Sequence, residues 1–571
     1  MEVFLGIPAA DGIGIGTAFV IPDPVKRAIS QHHIKIDQLN DGWNRFENAS
    51  QSVIFELTNY LESLSKTDAK DKIQREVFET YILMLEDPVF LKETREFYEK
   101  ELFNIEYSLN FKAEEYAQRL RQSGNDYLSE RAQDITDVFG RVLDEMLDIH
   151  PFDINNVPDG AVIFANALSS SDTIILSKRK IAGLALSEGG VSSHVVILAR
   201  NYGIPTITGL EDINKKVHNG ETVIIDGTSA EVLISPDRTT IDEYKEKIRA
   251  EFAHKLELKK FLDKPAVTQD GTQFKLYANI GTPEEAEIAR AEGADGIGLF
   301  RTEFLYMSQN GASLNAAARS FSEQTQFEAY KQVLEVMGDK PVTIRTLDAG
   351  GDKLINSVDM PVFEEKNPLM GLRAIRLSLE CPNVFKTQLR ALYRASVYGN
   401  LQIMLPLISC VEQVKQAKEL IKQVKDELTA EKIDFNPDTP VGIMVETASA
   451  AITSDCLARQ SDFFSLGTND LTQYTLGVDR ENQHVSDLYD EFNLAVLRLI
   501  QATLTSAQTA GIPVSVCGEM AGRADSIMVL AGMGIRNLSM SPKMISSAKE
   551  LLSRFTIQEL KAISDNRLNR F

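Results

Sequence analysis

The sequence predicts a multidomain α/β protein: a small α/β domain interrupted by an inserted helical bundle, followed by a (β/α)8 barrel. Three observations predict it. The 571 residues exceed what one hydrophobic core serves, at roughly 150 residues per domain. Between residues 25 and 149, glycine and proline become scarce and apolar residues recur at three- and four-residue spacing. Beyond residue 268, short apolar segments alternate with longer helical stretches over a length suited to a barrel.

Taken in order, Val3 to Ile21 is apolar and glycine-rich and reads as a strand or two. Gly12, Gly14 and Gly16 lack the spacing of a dinucleotide fingerprint, and no helical pattern opens after them. In the insert, Ile54, Leu57, Leu61 and Leu64, then Val77, Ile82 and Leu85, mark the apolar faces of amphipathic helices. From Pro158 short strands return as GAVIFA, TIILS, IAGLAL, TITGL, TVIIDG and AEVLIS. The simplest organisation joins residues 1–24 and 150–235 into one α/β domain around an inserted helical domain at 25–149. Residues 236–267 are charged and helix-prone, most of all Asp242 to Leu262, and read as a solvated linker helix. The barrel takes residues 268–571, with strands FKLYANI, GIGLF, VTIRTL, LQIMLPLI, VGIMVE, FFSLG, VSVCGE and NLSM.

Composition narrows the function. A net charge of −22 repels a phosphate backbone, so nucleic-acid binding by bulk electrostatics is not expected. Cys381, Cys410, Cys456 and Cys517 form no CxxC pair, which argues against a structural zinc site or a disulfide scaffold and for a reducing compartment. The opening MEVFLGIPAADGIGIG lacks the basic and apolar regions of a signal peptide, and no apolar run reaches the roughly 18 residues that span a bilayer. A cytoplasmic protein without a membrane partner is the expectation.

One candidate nucleophile stands out. In SEGGVSSHVVILAR, residues 187–200, Gly189 and Gly190 allow a tight turn after a strand, and Ser192 or Ser193 suits a helix N-cap. His194 then falls in the first helical turn. The positive helix end disfavours imidazolium and keeps the ring nucleophilic, and the free N–H groups there can hold an attached phosphoryl group. An ordinary capping or packing histidine is the competing reading.

The carboxyl ends of barrel strands converge on one mouth, where such barrels do their chemistry. Arg301 follows GIGLF, Arg345 lies near the end of VTIRTL, Glu446 closes VGIMVE, Asn469 and Asp470 follow FFSLGT, and Cys517 and Glu519 close VSVCGE. Arginines bind phosphate and carboxylate through paired donors. Glu446 and Asp470 can hold Mg²⁺ while leaving positions for water and substrate oxygens. The set suits a small phosphorylated carboxylic acid. Ion pairing with the arginines competes for the two acids, and a role as a small buried hydrophobe competes for Cys517.

These segments resemble a known family. GLFRTEFLYM, TIRTLDAGGDK, NPLMGLRAIR, GIMVETASA, SLGTNDLTQYTLGVDREN and VCGEMAG are similar to motifs of Enzyme I, the phosphoenolpyruvate-protein phosphotransferase of the bacterial sugar phosphotransferase system, and GGVSSHVVILAR resembles its phosphohistidine motif. The resemblance implies that His194 is phosphorylated from phosphoenolpyruvate, that the helical insert docks the phosphocarrier protein HPr, and that the barrel forms a homodimer. It further implies that Arg301, Arg345, Asn469, Asp470 and Arg480 contact substrate, with Lys353 and Arg373 lining the site. Glu446 and Asp470 would ligate Mg²⁺, and Cys517 would protonate the pyruvate enolate. Three places depart from the family pattern: Val191 and Val195 beside His194, Asn493-Leu494, which reads as a loop change, and Gly534 to Asn537, where an altered end of the eighth strand is expected. A phosphoenolpyruvate-sensing regulatory homologue and a dikinase-type relative are the alternatives. The second lacks support because no P-loop or other sizeable nucleotide module is visible.

Overall fold

The computed structural model describes residues 1–21, 29–64, 69–121, 126–149, 157–168, 176, 179–188, 194–303, 305, 322–349, 367–480, 482 and 484–569. The chain divides into two compact units, residues 1–252 and 253–571. None of the described helices is long and apolar enough to cross a membrane.

The first unit holds an eight-stranded mixed sheet. Its strands are β1 (Glu2–Leu5), β2 (Ile7–Ala10), β3 (Ile13–Val20), β4 (Ala161–Ala165), β5 (Gly183–Leu186), β6 (Thr206–Thr208), β7 (Thr222–Asp226) and β8 (Glu231–Ile234), in the order β1-β8-β7-β3-β4-β5-β6-β2. β3, β4, β5 and β6 run parallel, and the outer pairs are antiparallel. Every residue of β4 and β5 is buried, as expected of strands covered on both faces. The first segment therefore forms three strands, one more than its length suggests. Its glycines serve packing: a Cβ at Gly14 would lie 1.8 Å from the Ala182 carbonyl oxygen, and one at Gly16 2.0 Å from that of Gly160. Of the expected strand TIILS, only Leu176 lies within the described residues, and it is helical.

Between β3 and β4 stand α1 (Leu39–Ser63), α2 (Ala69–Leu85), α3 (Pro88–Glu101), α4 (Ile105–Arg121) and α5 (Asp126–Met146). Leu57, Leu61, Leu64 and Leu85 are buried in their common core, with Ile54, Val77 and Ile82 packed against it. Phe90 of α3 stacks on Phe139 of α5 at 4.1 Å between ring centroids. After β5 comes α6 (His194–Tyr202), and after β8 the linker helix α7 (Arg238–Leu258). That helix begins earlier than charge alone indicates, because the Asp237 carboxylate accepts the Thr240 N–H at 2.8 Å as an N-cap does.

The second unit is a closed parallel barrel of β10 (Gln273–Ile280), β11 (Ile297–Phe300), β12 (Pro341–Arg345), β13 (Asn400–Leu405), β14 (Val441–Val445), β15 (Phe464–Leu466), β16 (Val514–Val516) and β17 (Asn537–Met540). β10 pairs with both β11 and β17, which closes the ring, and a short β9 (Ala266–Val267) pairs antiparallel with β10. The helices that bear on the site are α8 (Glu323–Met337), α9 (Ala374–Glu380), α10 (Pro382–Ala395), α11 (Thr468–Leu476) and α12 (Leu494–Ala510).

Two departures from the family pattern acquire physical meaning here. Asn493 is the N-cap of α12, its side-chain oxygen accepting the Ala495 N–H at 3.0 Å, so the change builds a helix start in place of a plain loop. Asn493→Ala is expected to cost about 1 kcal/mol and to lower the melting temperature by roughly 1–2 °C, as read by thermal denaturation. Gly534 to Asn537 shows which end of the eighth strand is altered. Gly534, at φ 111°, terminates the preceding helix and Asn537 opens β17, so the altered segment lies at the strand's entrance and not at its carboxyl end.

Candidate active site at the barrel mouth

Because all eight strands of the closed barrel are parallel, their carboxyl ends share one rim. At its centre is Asp348, three residues beyond β12. Its Oδ2 lies 2.7 Å from Nη1 of Arg345, the last residue of β12, and its Oδ1 lies 2.9 Å from Nη2 of Arg373, which precedes α9. Nη2 of Arg345 also lies 3.2 Å from Glu303 Oε1, just past β11. Burial works to raise the Asp348 carboxyl, but Arg345 and Arg373, with Arg301 behind them, hold it below the usual carboxylate range. Desolvation of the two arginines is overcome by Asp348 above all, aided by Glu303 at Arg345 and by Asp470 at Arg373, so both guanidiniums stay charged. Nε of each is buried without a hydrogen-bond partner among the described residues, which leaves donors for an anion.

Glu446 follows β14 and Asp470 is the third residue of α11, just beyond the paired strand β15. Glu446 is 2% exposed and accepts the Leu407 N–H at 2.6 Å. Burial first, then the charges of Asp348 and Asp470, push its carboxyl well above the ordinary range. Asp470 lies 3.5 Å from Arg480 Nη1 and 4.0 Å from Arg373 Nη2. Ion pairing therefore engages Asp470, whereas Glu446 has no ion pair among the described residues. A buried carboxylate so placed, beside a second acid, fits a hard divalent cation, which takes one or two carboxylates and otherwise water or substrate oxygens. Among the described residues no cluster of three or more potential ligands exists. Gly467 keeps the cradle open, since a Cβ there would stand 2.7 Å from Glu446 Oε2.

Cys517 follows β16 and is 3% exposed among Leu299, Met404, Met444 and Phe463. Burial pushes its thiol up to about 11. Its two readings are thus compatible: the packing that makes it a small hydrophobe also keeps it protonated at neutral pH, as a proton donor must be. At pH 8, iodoacetamide is expected to alkylate the exposed Cys410 and Cys456 while Cys517 of the native protein stays unlabelled, as peptide mass analysis would read. Labelling of Cys517 as fast as Cys410 would contradict this environment.

The other expected residues are placed as follows. Arg301 is exposed directly after β11, its backbone N–H bonded to the Ile280 carbonyl at 2.9 Å. Asn469 exchanges two hydrogen bonds with Glu519, donating to its Oε1 at 3.0 Å and accepting its backbone N–H at 2.8 Å. Arg480 is anchored through its backbone N–H to Gln473 Oε1 at 3.2 Å. His194 is the first residue of α6, where backbone N–H groups lack intrahelical partners. The apolar Val195 has a physical reason, since it is buried against Ala165 and Leu186. Lys353, Gly189, Gly190 and residues 191–193 lie outside the described residues. Asp348, Glu303 and Tyr474, whose hydroxyl is 3.4 Å from Arg373 Nη1, were not singled out from the sequence. The available clue was an acid two residues after Arg301 and three after Arg345, within motifs already noted.

Comparison with known proteins defines the class first. Residues 5–131 match the N-terminal region of PEP-utilising enzymes, residues 157–230 their mobile domain and residues 255–557 their PEP-binding domain. The phosphoenolpyruvate-protein phosphotransferase of Staphylococcus carnosus (strain TM300) is 38% identical over 560 residues, covering 98% of this chain and 95% of that protein. That of Bacillus subtilis (strain 168) is 38% identical over 573 residues, covering 100% and 97%. A solution structure of an Enzyme I protein aligns with 43% of this chain and 99% of its own at 29% identity and a TM-score of 0.39. The chain belongs to the phosphoenolpyruvate-protein phosphotransferase family.

Proposed function

We propose that this phosphotransferase takes the phosphoryl group of phosphoenolpyruvate onto His194 and passes it to HPr. The observation that carries the reading is the pair of charged arginines locked by Asp348 beside two acids at one barrel mouth. Arg345, Arg373, Arg301 and Arg480 bind the phosphate and carboxylate, with Asn469 completing the polar rim and Lys353 assigned there by its motif. Mg²⁺ held by Glu446 and Asp470 would supply charge neutralisation for the phosphate and enolate oxygens. A ring nitrogen of His194 attacks phosphorus in line as the phosphorus–oxygen bond to the enolate breaks. The thiol of Cys517 then donates its proton to the enolate carbon, giving pyruvate, and recovers a proton from solvent. The helical insert is the HPr docking domain, the barrel the homodimer contact, and the cytoplasm the site of action.

The test is transfer of radiolabelled phosphate from phosphoenolpyruvate through the full chain to HPr. Absence of an acid-labile, base-stable label on the chain would overturn the reading. Metal assignment has its own readout. Mg²⁺ at a hundredfold its dissociation constant is expected to stabilise the wild type by about 2.7 kcal/mol in a thermal shift, and Glu446→Gln with Asp470→Asn to abolish the shift.

A further inference from the structure

We propose that Gln388, on the outer helix α10, is a positioning residue for the anion-binding arginine of the barrel mouth. The inference rests on the substrate site assigned above. Arg345 sits where β12 ends, and the chain leaving it is secured bond by bond. The Thr302 hydroxyl donates to the Arg345 carbonyl at 3.0 Å. The Thr346 N–H bonds the Met404 carbonyl at 2.9 Å, and the Asp348 N–H bonds Glu303 Oε1 at 2.9 Å. The remaining amide, Leu347 N–H, has no strand neighbour to receive it, and it donates to Gln388 Oε1 at 3.0 Å.

The other end of the same amide also bears on this segment. Gln388 Nε2 donates to Thr302 Oγ1 at 3.3 Å and to the Tyr330 hydroxyl of α8 at 3.2 Å. One side chain therefore holds the backbone two residues past Arg345 and, through Thr302, the carbonyl of Arg345 itself. Gln388 is 2% exposed and Thr302 fully buried, so water does not compete for these bonds. An amide is required because the position needs an acceptor and two donors at once. An apolar residue of similar length fills the volume and leaves the Leu347 N–H unpaired and free to turn. The Arg345 fork and the attached Asp348 carboxylate turn with it and lose the fixed position from which they meet the anion. Gln388 does not touch the ligand and acts only through Arg345 and Asp348.

The experiment uses the full chain with Mg²⁺ and excess HPr as phosphoryl acceptor, and compares the wild type, Gln388→Met and Leu392→Ala, the last a core truncation on the same helix without any polar contact. Steady-state phosphoenolpyruvate turnover gives KM and kcat, and thermal denaturation monitors the fold. Gln388→Met is expected to raise KM for phosphoenolpyruvate by about tenfold, the effect of one lost buried hydrogen bond felt at the guanidinium. Leu392→Ala is expected to lower the melting temperature with KM unchanged. An unchanged KM in Gln388→Met, or an equal rise in both variants, overturns the proposal. If Gln388→Met does not fold, Thr302→Val removes the relay to the Arg345 carbonyl and is read in the same way. A wild type that does not turn over phosphoenolpyruvate refutes the site assignment itself, which separates the two failures.

Discussion

His194→Ala is expected to abolish phosphoryl uptake from phosphoenolpyruvate, a loss of at least about 10⁴-fold, because the variant lacks the imidazole nitrogen on which the covalent intermediate forms. Phosphoenolpyruvate binding should survive the substitution within about twofold, because His194 belongs to the first unit and the arginines and acids to the second. Labelling from radioactive phosphoenolpyruvate measures the first quantity and calorimetry in Mg²⁺ the second. A variant that still acquired an acid-labile label would remove His194 from its role. A variant that lost binding as well would place it inside the substrate pocket before chemistry begins.

Asp348→Asn carries the second large effect. It removes one negative charge from between two buried guanidiniums, and breaking such an arrangement costs about 3–5 kcal/mol. The arginines then lose their fixed orientation, and kcat/KM for phosphoenolpyruvate should fall by roughly 10²- to 10³-fold. The pH dependence follows from the sign of the shift. The folded carboxyl is depressed below its unfolded value, so its stabilisation is present above about pH 4 and disappears as pH falls through the depressed folded value. The difference in melting temperature between wild type and variant should therefore persist from pH 8 to pH 5 and shrink only in stronger acid. A difference that faded between pH 8 and pH 6 would mean that another group governs the pair.

Much of this arrangement was legible before any coordinates. The barrel strands announced themselves as short apolar runs, and a parallel barrel assigns the residues at their ends to one mouth, so Arg345, Glu446, Asp470 and Cys517 could be named. What escaped was whatever depends on the path of a loop. Asp348 and Glu303 stood in plain view beside the arginines, but an acid in a loop carries no periodicity to say which way it turns. Gln388 was hidden for a different reason: it is one polar residue on a helical face otherwise built of Phe385, Leu389 and Leu392, and its partners are distant in sequence. Asn493 looked like loop variation because a helix cap is recognised by its hydrogen bond and only weakly by its letter.

The mixed sheet has a consequence for how the chain is made. β1 pairs with β8, β2 with β6, and β3 with β4 and β7, so each of the first three strands awaits a partner encoded far downstream. On a ribosome adding about 5–20 residues per second, β1 emerges some tens of seconds before β8 exists. The helical insert, whose buried core runs only from Trp43 to Leu143, has all its parts at hand during that wait. The nascent chain thus presents a finished bundle tethered to three bare strands, and that interval is when it most needs shielding from neighbouring polypeptides.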